Sequence, residues 1–150
     1  MRKNTIHLRV NWGDTDKAGI VYYPNFFKWF DIAGHQFFRD CGLPPAVLEE
    51  KYNVIVPLID AQCTFKNPVL YDDIIAVHTE VEKLTNRTIK LRHVISRDET
   101  IMGEGYEIRG WVKQLEDGIK AVPIPDDIRK ILEEDKHTSD EGHRVPLLNA

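Results

Sequence analysis

The order of hydrophobic periods along this chain predicts an α+β domain, with one long helix wrapped by an antiparallel sheet of five to six strands. Three observations carry that expectation. One stripe of apolar residues at steps of three or four runs from Pro24 to about Cys41. β-type runs then follow one another from residue 54 onward, and short turn segments rather than helices separate them. A doubly wound parallel sheet is excluded, because it needs a helix between successive strands.

Taken in order, residues 5–12 alternate, with Ile6, Leu8, Val10 and Trp12 on one face and His7, Arg9 and Asn11 on the other, the period of a half-buried strand. Gly13 to Gly19 is loop chemistry, and Ile20 to Tyr22 a short apolar extension. Pro24 suits the first position of a helix, where a missing N–H costs nothing, which makes Tyr23 the expected cap. Phe26, Phe30, Ala33, Phe37 and Cys41 form the stripe, widened by Phe27, Gly34 and Phe38, and Gly42 with Pro44 ends it. Pro44 to Tyr52 reads as a short second helix. Residues 54–66 read as a strand bulged near Pro57, followed by runs at Ile74–Leu84, Thr88–Arg97 and Ile101–Leu115. Asp117-Gly118 is a hairpin signal leading into Ile119–Pro123, and Asp126 or Asp127 can cap a last helix through Glu134. Residues 1–135 are expected to form a single domain. Residues 136–150, which lack either period, are expected to be a mobile tail or an intersubunit arm.

Composition narrows the function classes. A chain that is 42% hydrophobic and 29% charged has the balance of a soluble globular protein, and its formal charge of -4 argues against a general nucleic-acid binder. An anionic ligand would therefore need a local basic patch. Cys41 and Cys63 make neither a disulfide framework nor a metal site, and buried free thiols are expected. The first ten residues lack the apolar core of a signal peptide, and no segment approaches the roughly 18 apolar residues of a membrane span. A cytoplasmic protein with no membrane partner is expected.

The stretch GDTDKAGIVYYPNFFKWFD, residues 13–31, concentrates the chemistry. Hydrolysis of an activated acyl group needs a nucleophile or general base, together with donors aimed where the carbonyl oxygen gains charge. Asp16 can be the first. The helix start can supply the second, through the N–H groups of Tyr23, Asn25 and Phe26 near the positive end of the dipole, with Gly19 allowing the tight turn between. A thioester is suited to so small a set, because its thiolate leaves with little acid assistance. The plain alternative is that both aspartates are turn formers, and for Asp14 that reading is preferred. Tyr22 and Tyr23 can line a site or pack at the sheet edge, and His35 and His93 read as packed or hydrogen-bonded histidines.

This stretch, with CGLPP at residues 41–45, FKNPVLYDDIIAVHTEV, LRHVISR and VPIPDDI, resembles the 4-hydroxybenzoyl-CoA thioesterase family of hotdog-fold enzymes over roughly residues 5–130. The resemblance implies a hotdog fold, dimers joined sheet edge to sheet edge, tetramers built as dimers of dimers, and active sites at subunit interfaces. It places the catalytic carboxylate, nucleophile or base, on Asp16 and the carbonyl-polarising N–H on Tyr23, with Gly19 shaping the loop. Related thioesterases associated with the Tol-Pal system carry histidine where this chain has Pro24. The YPN version is similar to the aryl-CoA branch, which implies hydrolysis of a hydroxybenzoyl- or gentisyl-type thioester to the free acid and CoA. No metal or other cofactor is implied, CoA being part of substrate and product. Tyr22, Asp31 and Glu49 are candidates for the acyl pocket, and Arg87, with Lys90 and Arg92 nearby, for the CoA phosphates. An aliphatic acyl-CoA thioesterase, or a CoA-ester binding module without turnover, are the alternatives.

Overall fold

The strands follow one another with a turn or a helix between each pair: β1 (Lys3–Arg9), β2 (Val54–Ile55), β3 (Leu58–Phe65), β4 (Ile74–Leu84), β5 (Thr88–Arg97), β6 (Thr100–Gly110), β7 (Val112–Leu115), β8 (Gly118–Ala121) and β9 (His137–Ser139). The helices are α1 (Pro24–Asp40), a short α2 (Pro45–Val47) that continues as one π turn over Leu48–Tyr52, and α3 (Asp126–Glu133). The computed structural model describes residues 1–140. Its main sheet has the order β3-β6-β5-β4-β1-β9, antiparallel except where β9 joins β1. A second sheet has the order β2-β7-β8.

Alternation on the strands decides which face takes the helix. Ile75, Val77 and Val81 of β4 and Ile89, Leu91 and Ile95 of β5 are buried on one side, against Phe26, Trp29, Phe30, Ala33, Phe37 and Phe38 of α1. Each fully buried aromatic or aliphatic side chain contributes about 1.5–3 kcal/mol, so this contact is the main source of stability. Trp111, Ile128 and Leu132 extend the core beneath α3. Gly34 sits in the middle of the aromatic stripe, where a Cβ would come within 2.8 Å of Glu107 Oε1. It costs helix propensity and makes room for a buried carboxylate.

Several boundaries differ from the sequence expectation, each for a local reason. β1 ends at Arg9, and Trp12 enters a 3-10 turn over Trp12–Asp14 that leaves its ring 74% exposed instead of on the buried face. The run at 54–66 divides at Val56-Pro57 into β2 and β3, since proline cannot sustain a ladder there. The run at 101–115 divides at Trp111, and its second half joins β2 and β8. Tyr23 has helical torsions of -55° and -33° and makes no side-chain cap. Pro125, not Asp126 or Asp127, precedes α3, and the Asp127 carboxylate instead accepts from the Tyr52 hydroxyl at 2.9 Å. The segment expected to be a tail supplies β9. Residues 141–150 of that expectation lie outside the described residues.

Both thiols are free, Cys41 buried and Cys63 partly so. Burial pushes each up to about 11, in Cys41 against the opposing Arg2 charge. No described helix is long and apolar enough to cross a membrane.

Candidate active site

The loop between β1 and α1 is tied down by Asp14. Its carboxylate accepts the Asn11 N–H at 2.9 Å and Lys28 Nζ at 3.0 Å, while its carbonyl accepts the Tyr22 N–H and Asn25 Nδ2, both at 2.8 Å. A buried carboxylate with this many partners is structural, in agreement with the sequence preference for Asp14. Asp16 stands two residues on and is exposed. Its N–H donates to the Ile20 carbonyl at 2.8 Å, its carbonyl accepts from the Gly19 N–H at 3.0 Å, and its Oδ1 accepts from the Ala18 N–H at 2.8 Å. Gly19 closes this turn at φ +82°, a torsion that glycine adopts without strain. Oδ2 of Asp16 has no partner among the described residues.

The start of α1 narrows three expected donors to one. The Asn25 N–H is spent on the Tyr22 carbonyl at 3.0 Å and the Phe26 N–H on the Tyr23 carbonyl at 3.1 Å. Pro24 has no N–H. The Tyr23 N–H has no acceptor among the described residues, and it lies at the positive end of a helix about 26 Å long. Beside it an open groove of about 310 Å³ is lined by Ile20, Val21, Tyr23, Phe26, Phe65 and Val69, and also by Lys66, Asn67 and Pro68. Tyr22, 51% exposed, stands edge-on to the Tyr23 ring with centroids 5.5 Å apart, and Phe65 meets Tyr23 at 5.7 Å and Phe26 at 5.0 Å. An unsatisfied donor, a free carboxylate oxygen and an apolar groove are the parts needed to polarise and attack an acyl carbonyl.

Asp31 lies two turns further along α1, about 12 Å from Tyr23 along the axis. Its Oδ1 accepts Arg109 Nη2 at 2.9 Å and lies 3.3 Å from His35 Nε2. Arg109 is 5% exposed, and also donates to the Val56 carbonyl at 3.0 Å and to Glu107 Oε2 at 2.9 Å. Glu107 Oε1 lies 2.8 Å from His93 Nε2, and His93 Nδ1 lies 2.8 Å from Thr79 Oγ1. Burial acts to raise the Glu107 carboxyl, but His93 and the Arg109 guanidinium outweigh it and hold it below the usual carboxylate range. His93 is wholly buried and stacked on Phe30 at 4.7 Å, the packed histidine that was expected. Sequence reasoning missed Glu107 and Arg109. Their signal was two charges two residues apart on one strand, on the same side as Gly103 and Gly105, facing a helix interrupted by Gly34.

Glu49 and His35 line a separate cavity of about 230 Å³ with Leu48, Val54, Ile55 and Val56. Lys90 and Arg92 are not gathered with any of these groups. They project from the outer face of β5, where Lys90 pairs with Glu82 at 3.2 Å and Arg92 with Glu104 at 3.0 Å. Arg87, exposed in the turn between β4 and β5, has no carboxylate partner among the described residues.

A family model for the thioesterase-like superfamily matches residues 10–132. The chain belongs to that superfamily. It is 30% identical to the 4-hydroxybenzoyl-CoA thioesterase of Pseudomonas sp. (strain CBS-3) over 133 residues, covering 84% of this chain and 94% of that one. The solved structure of the same Pseudomonas enzyme superposes with a TM-score of 0.81 at 28% identity, over 87% of this chain and 99% of that one. A gentisyl-coenzyme A thioesterase superposes with a TM-score of 0.74 at 35% identity, over 83% and 98% respectively. The architecture of this thioesterase is accordingly the hotdog fold, and its reaction is hydrolysis of an acyl-CoA thioester.

Proposed function

We propose that this thioesterase hydrolyses an aromatic acyl-CoA of the hydroxybenzoyl or gentisyl type to the free acid and CoA. The observation that carries the reading is the Tyr23 N–H, left without an acceptor at the head of α1 while Asp16 keeps one carboxylate oxygen free in the preceding loop. The thioester carbonyl accepts the Tyr23 N–H, and Asp16 acts either as nucleophile, through an acyl-enzyme anhydride, or as the base that activates water. Gly19 supplies the turn that sets the loop. The aromatic acyl group is supported by the relatives described above, and by the naming of a Prochlorococcus marinus relative, 23% identical over 87% of this chain, as a 1,4-dihydroxy-2-naphthoyl-CoA hydrolase. Tyr22, Asp31 and Glu49 then contact the acyl end. Of the three basic candidates, Arg87 is the one we assign to a CoA phosphate, since Lys90 and Arg92 are already paired with carboxylates. No metal or other cofactor enters the reaction.

A rate comparison tests this reading. With benzoyl-, 4-hydroxybenzoyl-, gentisyl- and hexanoyl-CoA as substrates, the best aromatic thioester is expected to exceed the aliphatic one by about 100-fold in kcat/KM. Equal rates or an aliphatic preference would identify an aliphatic acyl-CoA thioesterase. Tight binding without turnover of any substrate would identify a CoA-ester binding module.

The site also requires a second chain. Among the described residues β3 is a free edge of the main sheet, with Leu58, Ile59 and Phe65 exposed along it. Phe65, opposite Gly103, is at the Tyr23 end, whereas Leu58, opposite Arg109, is at the Asp31 end. Pairing of β3 with its own copy about a two-fold axis brings Asp16 of one protomer toward Asp31 of the partner subunit. Dimers, assembled further into tetramers, are expected by light scattering; an active monomer would exclude this arrangement.

A further inference from the structure

In the proposed reaction the Asp16 carboxylate and the Tyr23 N–H meet at one carbonyl, yet they belong to two separately anchored parts of the chain. Asp16 lies in a short antiparallel hairpin: its N–H donates to the Ile20 carbonyl at 2.8 Å, Thr15 bridges Val21, and the Tyr22 N–H donates to the Asp14 carbonyl at 2.8 Å. The second arm of this hairpin is fastened to the loop after β3. There the Val21 N–H meets the Val69 carbonyl at 2.8 Å, and Ile20 bridges Leu70. Tyr23 heads α1, which is anchored elsewhere, through Phe26, Trp29 and Phe30 in the core. The chain passes from one part to the other between Tyr22 and Tyr23. A shift at this joint changes the spacing of carboxylate and donor, and misplacing a reacting group by about 1 Å can cost about a hundredfold in rate.

Among the described residues two side chains of α1 donate across the joint, and both reach Asp14. Lys28 Nζ meets Asp14 Oδ1 at 3.0 Å, but its side chain is 53% exposed and water competes for the contact. Asn25 is half-buried, and its Nδ2 donates at 2.8 Å to the same Asp14 carbonyl that accepts the Tyr22 N–H. Helix stability does not account for this bond. A side chain that stabilises a helix start accepts from the unpaired N–H groups there, whereas Asn25 donates, and α1 has no side-chain cap. The bond has a second consequence. With two donors the Asp14 carbonyl has both lone pairs engaged, so it is closed to the next N–H along the chain, that of Tyr23.

We propose that Asn25 is a positioning residue for thioester hydrolysis: by donating to the Asp14 carbonyl, its amide locks the Asp16 hairpin to the head of α1 and sets the spacing between the Asp16 carboxylate and the Tyr23 N–H. The inference rests on the reading of Asp16 and Tyr23 as the reacting pair, and it is independent of which acyl group is carried. Asn25 acts through Asp14 and not on the substrate.

The test measures kcat, KM and thermal melting for Asn25→Ala, Asp16→Asn and the double variant, with the fastest of benzoyl-, 4-hydroxybenzoyl-, gentisyl- and hexanoyl-CoA as substrate. Asn25→Ala is expected to lower kcat by about 10- to 100-fold while KM stays within about threefold. Its melting temperature is expected to fall by no more than about 4 °C, the range for one hydrogen bond in a chain of this size. In the Asp16→Asn background the same change is expected to cost less than about threefold, because no carboxylate is left to position. If Asn25→Ala fails to fold, Asn25→Ser, whose hydroxyl is too short to reach the Asp14 carbonyl, carries the same comparison. Wild-type kcat in the folded Asn25 variant, a loss confined to KM, or an equal loss with and without the Asp16 carboxylate overturns the proposal. Failure of the underlying reading is distinguishable, because it shows as wild-type hydrolysis by Asp16→Asn alone.

Discussion

Asp16→Asn is expected to lower kcat by about a thousandfold or more while leaving the thermal melting curve where it is. The amide preserves the shape of the turn, because its oxygen can still accept the Ala18 N–H that Asp16 Oδ1 accepts at 2.8 Å. What it loses is the negative charge, and with it both the nucleophile and the base. The side chain is exposed, so the substitution leaves no buried group unpaired. Wild-type hydrolysis by the asparagine variant would remove Asp16 from the mechanism.

The largest effect on stability is expected at Glu107. Replacing it with alanine removes the acceptor shared by His93 and Arg109 and leaves a guanidinium buried beside an empty space, which typically costs about 3–5 kcal/mol. Urea unfolding measures this directly, and a loss below about 1 kcal/mol would mean that water or Asp31 compensates the charge. The same carboxyl gives a pH signature. Because its folded pKa is held below the ordinary value of about 4.3, its contribution is complete above that value and is lost as pH falls through the lower folded one. Glu107→Gln is expected to flatten the acid limb of the stability profile, although it is less stable than the wild type at neutral pH.

Much of the fold could be read from periodicity because long elements bury one face and repeat their signal many times. The helix at Pro24–Asp40 and the strands at Ile74–Leu84 and Thr88–Arg97 fall where their apolar residues place them. Errors fell where the signal was short. Trp12 continued the alternation of β1 by coincidence, and three residues of β9 are too few to show a period against the charged segment around them. The geometry of the local turn was equally legible: Asp14, Asp16, Gly19 and Tyr23 are close in sequence, and a turn before a helix has few possible geometries.

Long-range polar contacts were not legible. Asp31 and Arg109 lie 78 positions apart, and His93 and Glu107 meet only because β5 and β6 pair in one register. Nor could the sequence show which helix-start N–H groups the turn consumes, or that Lys90 and Arg92 point away from the helix to meet Glu82 and Glu104. By itself the sequence determined the helix, the order of strands and the acidic loop that precedes the helix, because those depend on neighbours within a few residues. The tertiary structure decided which donor at the head of α1 stays free and where the buried charges converge. Both depend on the pairing of distant strands and on which polar atoms that pairing leaves unsatisfied.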